Sequence, residues 1–408
     1  MGFLSRAVER KASDPLALFA EIARAGRTSK AGPTVNLETA IRVGAFFACL
    51  RILSQGVAQV PFKLFQETEQ DGLTKIVPAR SHRVYDLVSA KPNDWQTDYE
   101  FRETQMIHAA LGNAYAWKNV IRGEVRELIL LDPGRMKVDQ PDEFGAPTYS
   151  YTGKDGREVT FPASQIWHLR GPSWSTFIGI DILNIARDAL GLTIALDDSV
   201  SGLHKNGVKP TGVYSVDGPL NEKQHADLTK WLKQQAADPG APLILDRGAK
   251  WLQTVMTSVD AQTKEMRDQQ IPEVCRFMGV APHMIGHTDK TSTYASAEQF
   301  NIQHVVHALG PHYVRIEKSA DINLLTRQER QAGYYFKHNA NALMRGSTKE
   351  RGEYFARALG SGGHAAWMSP DEVRALEEMN PMGGEAAKLP PPSSAAKKPP
   401  EEPEAQPA

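Results

Sequence analysis

Only two cysteines, Cys49 and Cys275, occur in 408 residues. That excludes a disulfide-stapled framework and a cysteine-rich zinc module. Both lie in apolar, helix-like stretches, which predicts buried thiols, not a disulfide or a metal pair, and fits folding in a reducing cytoplasm. An excess of charge is also missing: 47 Lys and Arg face 48 Asp and Glu. A protein that grips DNA without regard to sequence needs a basic surplus, so such a grip is disfavoured. Long apolar runs are absent too. Gly44–Leu50 is the densest near the N-terminus, far short of the roughly 20 residues of a membrane helix. No export leader is visible, and no membrane partner is expected.

Catalytic signatures are lacking as well. The chain holds no Gly-x-x-x-x-Gly-Lys-Ser/Thr, His-Glu-x-x-His, Gly-x-Ser-x-Gly or Cys-x-x-Cys, which argues against a P-loop, a zincin, a hydrolase elbow and a thioredoxin-like dithiol. His283 and His287 share one loop, and His304, His307 and His312 share one helix. No cysteine or dense carboxylate cluster joins them, so titratable polar faces are expected in place of a metal site. Asp197-Asp198 reads as a solvated helix face. Trp95, Trp167 and Trp174 read as core or interface positions. The chain is expected to be no enzyme and to need no cofactor.

What is present is a patterned α+β chain. Residues 1–36 read as a flexible arm. Thr39–Leu53 has a wide apolar helical face that runs on to Val60, where Pro61 stops it. Phe62–Gln66 alternates like a strand. Ser81–Ser89 and Thr97–Leu111 read as helices, the second with Thr97 and Glu100 as a capping box. Ala114–Ile121 and Val125–Leu131 flank Arg122-Gly123-Glu124 as a hairpin. Met136–Val138, Thr148–Thr152, Val159–Phe161 and Ile166–Leu169 are further short strands. Gly179–His204 is a long helix closed by Asn206-Gly207. Val208–Gly248 reads strand, helix (Asn221–Gln235), turn, strand, and Lys250–Met256 is one more strand.

The most specific stretch follows. A helix over Ala261–Gly279, with Pro272 expected to kink it, leads to Val280-Ala281-Pro282, a polar loop to Tyr294 and a second long helix capped at Ser296. That helix keeps its spacing to Pro311, and a weaker pattern resumes to Leu325. Tyr334–Phe336 could be a strand, and Ser347–Leu359 and Ser369–Glu378 are helical, Ser369 and Glu372 forming a capping box. From Gly383 the Pro, Ala, Lys and Glu composition predicts a disordered tail.

Several of these stretches together resemble the portal proteins of tailed bacteriophages, of the long-tailed type, over about Leu37 to Pro381. They are Ala45–Leu53 with Val60-Pro61, Lys91-Pro-Asn93, Gly112-Asn-Ala-Tyr115, Leu130–Arg135, Ile166–Gly171, Gly179–Ile182, Asn206–Pro210, Arg276–Gly286 and the helix start Thr293–Gln299. Ala281 departs from the pattern, which tends to have a first proline there. The resemblance implies a ring, usually of twelve subunits, at one capsid vertex. DNA enters through its channel, driven by a separate terminase, and later leaves the same way. The implied partners are further copies of the chain, the terminase large subunit, major capsid and scaffold proteins, head–tail connector or adaptor proteins and double-stranded DNA in transit. The implied location is the virion, with assembly in the host bacterial cytoplasm.

By motif order, the resemblance implies a wing at 37–178, a first stem helix at 179–206, a clip at 207–257 and a second stem helix at 258–279. A tunnel loop at 280–294, a long wing helix at 295–340, a crown at 341–382 and a tail at 383–408 complete the layout. It also implies a DNA-contacting loop at His287, Lys290, Thr291 and Ser292, and a stem lining at Lys205, Lys209, Lys264 and Arg267. Near-neutral charge suits a conduit past which a polyanion must slip. Two rivals differ in class: a head–tail adaptor or other capsid-associated ring without a translocation role, and a phage nuclease or maturation protease. Adaptors are generally much shorter, and neither a carboxylate–Lys nor a Ser–Lys/His constellation can be built from these residues.

Overall fold

The computed structural model describes residues 27–70, 73–205, 212–215, 221–230 apart from 224 and 228, 250–253, 257–287, 299–339 apart from 301, 348–361, 365–377 and 379–391. The chain forms two compact units: Met1–Thr293 with Gln303–Asn339, and Tyr294–Ile302 with Ala340–Ala408.

The first unit opens with β1 (Arg27–Thr28) and β2 (Thr34–Val35), an antiparallel pair. Two helices, α1 (Leu37–Ala40) and α2 (Gly44–Ala58), follow where one was expected. Asn36 and Thr39 form a capping box that starts the first early, and extended Val43 restarts the second. Periodicity misses the break because Ile41 and Ala45 keep helical spacing across it. Next come β3 (Phe62–Gln70), β4 (Leu73–Pro78), α3 (Tyr85–Ser89) and α4 (Asp98–Ala110). Thr97 caps α4, and Glu100 returns the bond to the Thr97 amide.

β5 (Asn113–Ile121) and β6 (Glu124–Leu131) form the expected hairpin, with Arg122 and Gly123 at φ 54° and 82° in its turn. β7 (Met136–Asp139), β8 (Thr148–Thr152) and β9 (Glu158–Phe161) make a meander. β10 (Ile166–Arg170) returns to pair with β5, giving the order β10–β5–β6. Then come α5 (Ile182–Ile185), α6 (Arg187–Lys205), the antiparallel pair β11 (Gly212–Ser215) and β12 (Lys250–Gln253), and α7 (Thr257–Met278). The described residues of 222–230 are helical. Helix α7 passes through Pro272, whose ring removes one backbone donor from its middle.

A π-helical turn (His304–Leu309) widens the chain into α8 (Gly310–Leu324), with the Gly310 amide bonded to the Val305 carbonyl. Pro311 lies in the first turn of α8 and so does not stop the helix there. α9 (Arg327–Gln331) leads to β13 (Tyr334–His338), which pairs with β3.

The outer edge of β13 is covered by α8. Asp321 Oδ1 accepts from the Phe336 amide at 2.8 Å, and Glu317 Oε1 accepts from the His338 amide at 2.8 Å and from Nδ1 at 3.1 Å. Four residues of helix rise about 6 Å, and two residues of strand about 6.7 Å, so the carboxylate spacing matches the amide spacing. An edge that would otherwise offer free amides is thereby closed. The core between α2, α4 and α8 holds Phe46, Leu53, Met106, Trp167 and Leu309, all nearly inaccessible. Trp167 thus lies in the core, with its indole N–H on Ser319 Oγ at 2.9 Å, whereas Trp95 and Trp174 are exposed.

In the second unit, α10 (Thr348–Ala358) and α11 (Pro370–Leu376) are helical as expected, with Ser369 and Glu372 in a capping box. Order continues past Gly383, contrary to expectation. The Asp371 carboxylate accepts from the amides of Met382 (2.7 Å) and Gly383 (2.8 Å), and Gly384–Ala387 forms a 3-10 turn. Residues 392–408 lie outside the described residues.

Candidate functional site

Three stretches distant in sequence meet where the chain leaves the sheet region for α6. They are Gly112–Tyr115, Ile166–Gly171 and Gly179–Ile182, three of the motifs that carry the resemblance. Gly112 sits at φ 132°, a region open to glycine. Its carbonyl accepts from the Gly171 amide at 2.7 Å. Asn113 pairs with Gly179 at two points: Oδ1 accepts from its amide at 2.7 Å, and Nδ2 donates to its carbonyl at 3.1 Å. The crossing is so close that a Cβ on Gly179 would stand 2.1 Å from the Gly112 oxygen. Asp181 then caps the next helix through the Leu183 amide at 3.0 Å.

His168 locks this crossing. Its Nε2 lies 2.9 Å from Asn113 Oδ1, and its Nδ1 lies 3.1 Å from the Tyr149 hydroxyl. An amide oxygen can only accept, so Nε2 carries the proton and Nδ1 accepts from Tyr149. Burial, with Arg170 nearby, pushes the imidazole down to about 3. Neutral His168 is therefore a structural clamp, with a charge that would be costly to create. Sequence reading overlooked Asn113 and His168 as partners. The signal available was glycine recurring at 112, 171 and 179 beside polar residues.

Helices α6 and α7 pack together. Between them and the start of α2 runs an open groove of about 580 Å³, with Val43, Thr193, Val200 and Ile271 in its wall and Asp197, Lys264, Arg267 and Asp268 among its lining. Arg267 donates to Asp197 at 2.7 Å, both side chains being nearly half exposed. Two of the four expected lining cations, Lys264 and Arg267, thus share one groove, and Arg267 is already neutralised. Lys205 closes α6, and Lys209 lies outside the described residues.

After α7 the chain turns sharply. Gly279 is at φ 67°, and the Val280 amide reaches back to the Cys275 carbonyl at 3.1 Å. Extended Ala281 opens a 3-10 turn over Pro282–Ile285, ended by Gly286 at φ 83°. The amide of half-buried His287 closes it on the Pro282 carbonyl at 3.1 Å. The first part of the expected loop is thus a fixed turn packed on α2. Lys290, Thr291 and Ser292 lie outside the described residues. Beside the turn is a pocket of about 440 Å³ bordered by Cys275, Arg276, His304 and His307. Burial, then the charge of His283, lowers the His304 pKa. Among the described residues no group of three or more His, Cys, Asp or Glu is placed to hold a metal, and no helix is long and apolar enough to cross a membrane.

Comparison with known proteins gives a consistent result. The profile of the phage portal protein family matches residues 44–378. The portal protein of Enterobacteria phage HK97 is 27% identical over 361 residues, covering 87% of this chain and 83% of that protein. The probable portal protein of Streptomyces phage phiC31 is 28% identical over 393 residues, covering 90% and 81%. Among solved structures, an HK97-family phage portal protein from Corynebacterium diphtheriae matches with a TM-score of 0.56 at 15% identity, covering 76% of this chain and 96% of that one. The neck of a native gene transfer agent particle, computed with C12 symmetry, matches with a TM-score of 0.53 at 22% identity, covering 88% and 98%.

Proposed function

The chain belongs to the phage portal protein family, and from that premise we propose that it closes into a ring, of twelve copies in the particle, at one capsid vertex. Double-stranded DNA enters through the ring, driven by a terminase large subunit, and leaves through it. Connector proteins attach at one end, and capsid and scaffold proteins surround it. The observation that carries the reading is the helix pair α6 and α7. The two pack side by side and bracket residues 206–256, and β11 pairs with β12 near the two ends of that bracket. This is the arrangement expected of two stem helices with a clip at their tip. The twelvefold symmetry of the gene transfer agent neck supports the copy number. Rings arise from head-to-tail contacts whose rotation closes.

In this reading 37–178 is wing, 179–206 and 258–279 are stem, 207–257 is clip, 280–294 is tunnel loop, 295–340 is the long wing helix and 341–382 is crown. The junction of Gly112, Gly171 and Gly179 sets the direction in which the first stem helix leaves the wing. The exposed Lys264 and the paired Arg267 give a channel wall with little net attraction for phosphate, which lets DNA slide. His287, Lys290, Thr291 and Ser292 would touch passing DNA without reading bases.

Electron microscopy of the purified full chain tests the assembly. Closed rings with a central channel are expected; monomers alone, even with scaffold and coat protein present, would refute it. For the loop, Lys290→Ala is expected to leave rings intact and to change DNA packaging or retention. Unchanged packaging and retention would remove the loop from DNA contact.

A further inference from the structure

Cys49 on α2 and Cys275 on α7 are 226 positions apart, yet their sulfurs lie 3.7 Å from one another. Both are nearly inaccessible, at 0% and 1% exposure, and both are free thiols. We propose that they form a redox-modification site: a facing dithiol that a peroxide-class oxidant closes to an intramolecular disulfide, tying α2 to α7.

The geometry meets the two requirements of such a step. A disulfide needs the sulfurs at about 2.05 Å, so closure asks about 1.7 Å of movement shared by two side chains on helices already in contact. Access is asymmetric. Cys275 borders the 440 Å³ pocket beside the Gly279–Pro282 turn, and Cys49 does not. Burial bars bulky reagents, but the pocket admits an oxidant the size of hydrogen peroxide. Cys49 donates its S–H to Cys275, which favours the thiolate at Cys275 and keeps Cys49 protonated.

The step balances. Cys275 loses its proton, and its thiolate attacks one peroxide oxygen. The O–O bond breaks and a sulfenic acid forms; the hydroxide released takes up that proton and leaves as water. Cys49 sulfur then attacks the sulfenic sulfur, the S–O bond breaks, and the hydroxide leaves as water with the Cys49 proton. Two thiols and one peroxide give one disulfide and two waters. The sulfurs together lose two electrons and the peroxide gains them. The consequence for function rests on the portal reading, but the chemistry does not: a ring assembled in a reducing cell and released into a medium that contains peroxide would gain a staple between the second stem helix and the wing.

The test uses the purified full chain, exposed to hydrogen peroxide while folded, then unfolded, alkylated and weighed. Neither thiol should alkylate, and the mass should fall by two hydrogens. Trypsin cuts after Arg42, Arg51, Arg267 and Arg276, so peptides Val43–Arg51 and Asp268–Arg276 should appear as one linked species that dithiothreitol separates. In Cys49→Ala, Cys275 should stop at a sulfenic acid, trapped by dimedone present as the peroxide-treated chain is unfolded; in Cys275→Ala, Cys49 should stay a thiol. The oxidised parent should melt higher by about 5 °C or more, reversibly with dithiothreitol. Full alkylation of both thiols after peroxide, or linkage only between chains, overturns the site. Linkage without a rise in melting temperature overturns the staple. Rings without linkage would refute this inference alone, and linkage without rings the portal reading alone.

Discussion

Replacing Gly179 by alanine tests the glycine junction directly. The added methyl would stand 2.1 Å from the Gly112 carbonyl oxygen and 3.0 Å from both the Gly112 carbonyl carbon and the Gly171 nitrogen. Ordinary carbon–oxygen contact is about 3.4 Å, so the two segments must part by more than about 1 Å. These neighbours are backbone atoms, and no flexible side chain can give way. Parting them stretches the Gly171–Gly112 bond of 2.7 Å and the two-point pairing of Asn113 with Gly179. Overpacking costs about 1–3 kcal/mol and each buried group left unpaired about 1–3 kcal/mol. With partial relaxation the expected loss is about 3–5 kcal/mol, a large share of a typical domain's stability. Thermal melting of the full chain, together with hydrogen exchange at the Gly171 and Gly179 amides, measures it. The comparison is Gly202→Ala in α6, where an added Cβ meets nothing within 4 Å; removing a helical glycine there should stabilise by about 0.5–1 kcal/mol. If Gly179→Ala melts with the parent, the three segments do not cross as closely as described.

The remaining predictions concern charge and hydrogen bonding. Glu317→Ala orphans the His338 amide and ring N–H at the covered edge of β13, with an expected loss of about 2–4 kcal/mol and faster exchange at His338; unchanged protection there would show that the carboxylate does not close the edge. Burial alone would raise the Glu317 pKa, but bonds from His338 and the charge of Lys337 hold it below the usual range. Its contribution is therefore complete above the ordinary glutamate pKa and is lost as pH falls through the lowered one. His168 acts at milder acidity. Its folded value of about 3 lies below the ordinary 6.5, so the unfolded chain takes the proton first. The stability it contributes is full above pH 6.5 and declines toward pH 3, with a loss of about 2 kcal/mol by pH 5. Melting curves between pH 7.5 and 5 should fall in the parent and fall less steeply in His168→Asn, the remaining slope coming from other buried imidazoles such as His312, which burial pushes down to about 4; equal slopes would exclude His168 as a source. Arg267→Ala should cost less than about 1 kcal/mol, because both partners of its ion pair are nearly half exposed, and a larger loss on melting would mean that the pair is more shielded than that exposure implies.

Local chemistry decided much of this protein before any tertiary contact. The Thr97–Glu100 and Ser369–Glu372 boxes begin helices where expected, because each satisfies its own first-turn amides. The β5–β6 hairpin follows from alternation around Arg122-Gly123, and the α7–turn–helix stretch from Gly279, Pro282 and Gly286. The family resemblance was legible too, in the order of short motifs. What those motifs do was not. Gly112, Gly171 and Gly179 read as separate turn residues along the chain, and only folding makes them one crossing, since the atoms that forbid a side chain belong to distant segments. Likewise Glu317 and Asp321 look like a polar helix face until β13 lies beside them. Gly383–Leu389 has a composition that predicts disorder, yet the Asp371 carboxylate orders its start. Sequence encodes propensities within a few residues. The pairing of Asn113 with Gly179, of Arg267 with Asp197 and of Cys49 with Cys275 depends on which segments meet, and packing of the whole chain sets that.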